Sequence, residues 1–262
     1  MSLTVKACLI GFFTGITSGL MGVGGGVLMI PAMILLMGFT QHIAHGTSVA
    51  IMILLAAPGA LMYALNGTVN WPMAITISIG GVVGANIGAR YMKRIPAFEL
   101  KLVFCVFVAL TGLRMIWAAY TGNVAGPTEG LQGVHAVVAG LGTGLAAGLL
   151  SGILGVGGGI ITVPVMSLLL GVGQQTAQGT SLAAIIPTAI SGTRTHYRAG
   201  SLNIKVGMFI GIGGVPGSLL GSALANSLPS ATLKGIFGSF LIVMSVVLAI
   251  RNTAGVSRRT NS

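Results

Sequence analysis

The chain reads as long apolar runs separated by short polar connections. The runs are continuous over about 20 residues, the length a helix needs to cross a bilayer, and do not alternate as barrel strands do. Six of them predict single spans near 46–65, 73–92, 100–120, 179–198, 205–225 and 232–250. Two others, 5–37 and 135–170, are too long for one span and too short for two, and both are broken by glycine. The first break reads "GLMGVGGGVLMIP" (19–31) and the second "GILGVGGGIITVP" (152–164). Glycine and proline punctuate apolar helices rather than extend them.

These breaks belong to a repeat. Shifted by 133 positions, Gly22 to Gly26 fall on Gly155 to Gly159, and Pro31 falls on Pro164. In the same register "GTS" (46–48) falls on "GTS" (179–181), Asn70 on Asn203, and Gly80, Gly81 and Gly84 on Gly213, Gly214 and Gly217. Between residue 11 and Pro96 roughly 32 positions are identical to their counterparts without a gap. The chain therefore divides into a first repeat (1–121), a polar linker (122–133) and a second repeat (134–262). Repeated halves are common in transporter folds.

Each broken segment is read as a helical hairpin that returns the chain to its starting side, followed by three spans. Each half then crosses the membrane an odd number of times, and the second half is inverted. Loop charge agrees with this. With Lys6 inside, the Arg90, Lys93, Arg94 and Lys101 loop, Arg198, Lys205 and the Arg251–Arg259 tail are also inside, as the positive-inside rule requires. Both termini are then cytoplasmic, and of the loop cations Lys234 alone is assigned outside. The expected fold is an all-α polytopic membrane protein of the plasma (inner) membrane, with two inverted-topology repeats.

Composition excludes several classes. Of 262 residues, 54% are hydrophobic and 6% charged, and the mean hydropathy is +0.98. A water-soluble domain carries about 25% charged residues. The net charge of +11 sits in loop clusters, so it argues for membrane topology and against nucleic acid. Cys8 and Cys105 lie inside apolar runs without metal or redox spacing, and read as small buried hydrophobes. Residues 7–21 resemble a signal-peptide core, but 140–154 repeat the pattern deep in the chain, so the segment is kept in the mature protein.

The glycine breaks are the first candidate site. Backbone interrupted at membrane depth is tolerated where it lines a cavity or is enclosed by protein. A glycine turn opening a helix presents free N–H groups and the positive end of the dipole to an anion. Gly22, Gly24, Gly25 and Gly26, with Gly155, Gly157, Gly158 and Gly159, are the candidates. Pro31 and Pro164 are placed in the first turns of the helices that follow. Close helix packing is the alternative reading for glycine, and it is the preferred one for "GGVVGANIG" (80–88) and "GGVPGSLLG" (213–221). A dinucleotide or P-loop reading fails for want of a preceding strand, an acidic partner or a GK[ST] ending.

The second candidate is "QHIAHGTS" (41–48) with its copy "QQTAQGTS" (174–181). Gln41, His42, His45, Thr47, Ser48, Gln174, Gln178, Thr180 and Ser181 can offer neutral donors to an anion; alternatively Thr47 or Ser48 caps the next helix. Arg194 lies about six residues before the loop glycine Gly200, deep enough either to face a cavity or to snorkel to the interface. His196 and Arg198 are read as interfacial. There is no Asp, and Glu99 and Glu129 sit outside the apolar cores. No catalytic triad, carboxylate pair or metal cluster can be built, so neither an enzyme nor a cofactor is expected.

The segments "GITSGLMGVGGGVLMIPAMILL", "AHGTSVA" and "NGTVNWPMAITISIGGVVGANIGARY", with their second-half copies, resemble the TauE/SafE sulfite exporter family of permeases. The resemblance spans essentially the whole chain. It implies a permease for a small sulfur-containing anion such as sulfite, sulfoacetate or a related organosulfonate, acting between the two glycine turns and GTS segments. Thiosulfate-uptake relatives rely on cysteines, and this chain has none near its motifs. The implied partners are the anion and the lipid bilayer; a homodimer stays open, as does an anion channel in place of a transporter.

Overall fold

The computed structural model describes residues 3–91, 97–122, 133–154 and 157–257. Among them the chain is helical: α1 (Leu3–Met21), α2 (Gly26–Met37), α3 (Gln41–Leu65), α4 (Trp71–Tyr91), α5 (Ala97–Tyr120), α6 (Val134–Leu154), α7 (Gly159–Pro164), α8 (Gln174–Arg198), α9 (Ile204–Ser227) and α10 (Ser230–Ser257). By length and composition α1, α3, α4, α6, α9 and α10 suit membrane crossing. α8 is as long as α3 but too polar to join them. The reason lies in its position: α3, α4, α7 and α10 pack around it, so its Gln, Thr and Ser residues meet protein and a cavity rather than lipid.

Both broken segments are hairpins. α1 and α3 run in the same sense along α9. Gly11 meets Ile210, Gly15 meets Gly214 and Gly19 meets Ser218, while Thr47 lies by Gly207 and Leu54 by Gly211. α2 therefore brings the chain back between α1 and α3. The α4–α6 pair repeats the α1–α9 pair, with Gly144 against Ile77 and Gly148 against Gly81. At these crossings a Cβ on Gly80, Gly84, Gly213 or Gly217 would strike a backbone carbonyl of the facing helix, so these stripes are packing surfaces.

Helices that correspond between the halves cross antiparallel. In the α3–α8 pair, Tyr63 lies by Gly179, Gly59 by Leu182 and Val49 by Gly192. In the α5–α10 pair, Gly112 lies by Gly238 and Ala119 by Gly235. The largest apolar cluster, including Val23, Ile160, Met166, Phe237 and Leu241, encloses the glycine turns.

Several local expectations change. α3 and α8 start at Gln41 and Gln174, one turn before 46 and 179. Extended Thr40 and Gly173 precede them, and nothing breaks the helix before the GTS segments. Thr47 and Ser48 therefore lie in the second turn and cannot cap α3. Pro31 and Pro164 are the sixth residues of their helices, not first-turn residues. Lacking an N–H, each proline interrupts the ladder; after Pro164 the helix continues as a π turn, Val165–Leu169, closed by the Leu170 N–H on the Val165 carbonyl at 3.1 Å. Lys234 is not a loop cation: it lies inside α10 and is buried.

Candidate functional site

The two glycine turns touch. Gly22 and Gly24 have φ of 72° and 76°, and Gly157 has φ 83°, a left-handed backbone that side chains rarely adopt. A Cβ on Gly159 would lie 2.6 Å from the Gly22 oxygen and from the Val23 Cα, and one on Gly157 would lie 3.2 Å from the Val23 oxygen. The Ser181 hydroxyl donates to the Gly22 carbonyl at 2.8 Å. Met52 and Ile185, corresponding residues near the middles of α3 and α8, flank Gly24. The contact thus lies at mid-helix depth.

The turns then open two helices differently. Gly25 (φ 77°) precedes α2, and Met29 is the first residue whose N–H reaches back, to the Gly25 carbonyl at 3.1 Å. The N–H groups of Gly26, Val27 and Leu28 thus remain unpaired among the described residues, as helix geometry dictates. Gly158 is right-handed (φ −68°), and its carbonyl accepts from the N–H groups of Ile161 and Thr162, both at 3.0 Å. Gly155 lies outside the described residues.

A cavity of about 110 Å³ ends at Gly157 and Gly158. Its walls are α3, α4, α6 and α8; Met52, Ile77, Ala147 and Ile185 are apolar members, and Ser151, Ser181, Ser191 and Thr195 supply hydroxyls. Its mouth lies where α3 begins and α8 ends. There the rings of His45 and His196 stand edge to face, 5.1 Å between centroids, and His196 Nδ1 pairs with Ser201 Oγ at 3.0 Å. His196, expected at the interface, is thus part of the mouth. Asn86 and Thr195 are exposed at this end, whereas Ser181 is fully buried at the inner one.

The Gln and GTS candidates separate by role. Thr47 Oγ1 accepts the Asn203 N–H at 3.0 Å, and Thr180 Oγ1 accepts the Asn70 N–H at 2.9 Å. Each ties the start of a span in one half to the GTS segment of the other. Ser48 is fully buried without a hydrogen-bond partner, and so is Gln174. Gln178 is equally buried; its Oε1 accepts from the Tyr63 hydroxyl at 3.0 Å while its Nε2 has no partner. Unpaired buried amides cost about 1–3 kcal/mol each, and none of Ser48, Gln174 and Gln178 lines the cavity. Gln41 and His42 are exposed at the start of α3, and Arg194 is exposed and absent from the cavity wall.

Sequence reading missed Tyr63 and Ser18. Tyr63 is fully buried and its hydroxyl also donates to the Gly19 carbonyl at 3.0 Å. Ser18 is buried without a hydrogen-bond partner beside Gly25. The repeat register carried a signal for both, since their counterparts, His196 and Ser151, line the cavity. No carboxylate lies among the described side chains, and no group of three metal-ligating residues occurs among the described residues.

A helical bundle with two glycine turns in contact at mid-depth, and a cavity leading to the second of them from one end, defines a multi-pass membrane transporter rather than an enzyme. The chain belongs to the family described as sulfite exporter TauE/SafE, whose model matches residues 2–115 and 140–262. It is 28% identical over 249 residues to a probable membrane transporter protein of Xylella fastidiosa, covering 94% of this chain and 95% of that one. It is 26% identical over 259 residues to the probable membrane transporter protein YunE of Bacillus subtilis, covering 92% and 95%.

Proposed function

We propose that the protein moves a small sulfur-containing anion, sulfite, sulfoacetate or a related organosulfonate, across the plasma (inner) membrane by alternating access of two inverted repeats. The observation that carries this is a cavity lined by Gly157 and Gly158 of the second glycine turn, against which the first turn packs. Backbone N–H groups opening α2 and α7 provide positive potential without a fixed cation. Gln178 and Ser181 stand beside Gly22 of the first turn, Ser181 also lines the cavity, and His45 stands at its mouth. No Lys or Arg among the described residues lines the cavity, which keeps binding weak enough for release. The antiparallel crossing of α3 on α8 and of α5 on α10 supports inversion of the halves. The cavity opens at the end of the bundle where Arg198 and Lys205 lie, which the positive-inside rule assigns to the cytoplasm.

The test is reconstitution in liposomes and measurement of uptake of sulfite, sulfoacetate, other sulfonates, thiosulfate and sulfate, with and without imposed ion gradients. Saturable uptake of a sulfonate or sulfite is expected. If none of these anions binds or moves, the proposed substrate class is wrong. Flux that follows voltage alone and does not saturate would favour an anion channel.

A further inference from the structure

We infer that Tyr63 and Gln178 form the latch that shuts the far end of the transport path, and that His196 and His45 occupy the same two positions at the open end. The inference rests on the alternating-access reading and adds the residues that gate it. The register is the repeat offset: Tyr63 corresponds to His196, Gln178 to His45, Gly19 to Gly152 and Ser18 to Ser151.

At the far end the Tyr63 hydroxyl is shared between the Gly19 carbonyl and the Gln178 amide oxygen, both at 3.0 Å, and both side chains are fully buried. That three-centre bond pins α3 to α1 and α8 together. It occupies the place that, at the register-related positions of the open end, is cavity: Gly152, Ser151, His45 and His196 all line the open space.

The backbone around the two positions is anchored alike. Thr68 Oγ1 donates to the Tyr63 carbonyl at 2.9 Å, and its counterpart Ser201 Oγ donates to the His196 carbonyl at 3.2 Å. The difference is therefore in the gate itself. Gln174 is fully buried on the shut side while its counterpart Gln41 is exposed on the open side. In the opposite state Tyr63 lets go of Gly19, the Ser18 wall opens, and the histidine pair closes toward Gly152.

The test uses full-length protein with Cys8→Ala and Cys105→Ala, carrying either Ser151→Cys or Ser18→Cys, and a membrane-impermeant maleimide applied from each side. With Tyr63 intact, position 151 is expected to label from the open side and position 18 to stay protected. Tyr63→Phe keeps the ring and removes the bond. It is expected to raise labelling at position 18 about tenfold and to lower it at position 151. A second variant, His45→Gln with His196→Tyr, builds the latch on the open side and is expected to protect position 151. Unchanged labelling at position 18 in Tyr63→Phe, or at position 151 in the double variant, overturns the latch. Labelling needs no substrate, so this outcome is separate from the uptake panel. Reciprocal labelling in a protein that moves none of the tested anions removes the substrate class and keeps the latch.

Discussion

The hydroxyl of Ser181 donates to the carbonyl of Gly22 across 159 positions of sequence, at 2.8 Å. It joins the GTS segment of one half to the glycine turn of the other. Its counterpart Ser48 is as deeply buried and makes no hydrogen bond among the described residues. One serine is therefore a structural tie and the other an unspent donor.

Ser181→Ala strips a buried carbonyl of its donor and should cost about 1–3 kcal/mol. Ser48→Ala removes a hydroxyl with no partner and should leave stability within about 0.5 kcal/mol, the range of substitutions that break no identified interaction. Thermal unfolding in detergent separates them. Equal melting temperatures for the two variants would contradict the assignment.

Gly25 and Gly158 were equivalent by sequence, and the structure makes them differ. Gly25 has φ 77°, and a Cβ there would lie 3.0 Å from Leu55 Cδ2. Gly25→Ala is expected to cost about 1–2 kcal/mol from the left-handed backbone alone. Gly158 is right-handed, with its Cβ position at ordinary contact distance, 3.4 Å, from Ala147. Gly158→Ala should fold normally while narrowing the blind end of the cavity. A loss of saturable uptake with an unchanged melting temperature is the expected signature of Gly158→Ala.

Thr47→Val and Thr180→Val each remove an acceptor for the backbone N–H of Asn203 or Asn70. Each should destabilise by about 1–3 kcal/mol, because the N–H is left unmet. The two ties share no partner, so the double variant should lose close to the sum. A double variant no worse than either single would mean that the two ties form one coupled unit.

Gly84→Leu and Gly217→Leu drive a side chain into the facing carbonyls of Leu145 and Phe12. Both should prevent assembly of the α4–α6 and α1–α9 pairs, read as aggregation on size exclusion in detergent. Gly142→Leu, at a position with open space around it, should elute like the unmodified protein.

Much of the architecture was legible because membrane helices advertise themselves. Apolar runs of span length, glycine breaks at fixed offset and clustered loop cations all follow from the cost of exposing backbone and charge to lipid. The packing role of Gly80 to Gly88 and Gly213 to Gly221 was visible for the same reason. Helix starts were less legible: Gln41 to His45 look like a polar loop, and α3 takes them in because the helix continues to its natural stop at Thr40. The roles of the site residues were legible as a set and not one by one, since Thr47, Ser48, Thr180 and Ser181 carry the same pattern and do different things.

The sequence by itself determined an all-helical membrane chain, its duplication, the two hairpins and the family motifs, because those are properties of local pattern and of the lipid solvent. Tertiary structure decided the rest. It placed Val23 against Gly157 and Gly159, brought Tyr63 onto Gly19 and Gln178, and left His45 and His196 at an open mouth. It also put Arg194 outside the cavity wall. Two related halves packed in one chain need not adopt the same state, and which end of the bundle opens into a cavity depends on contacts between residues more than a hundred positions apart.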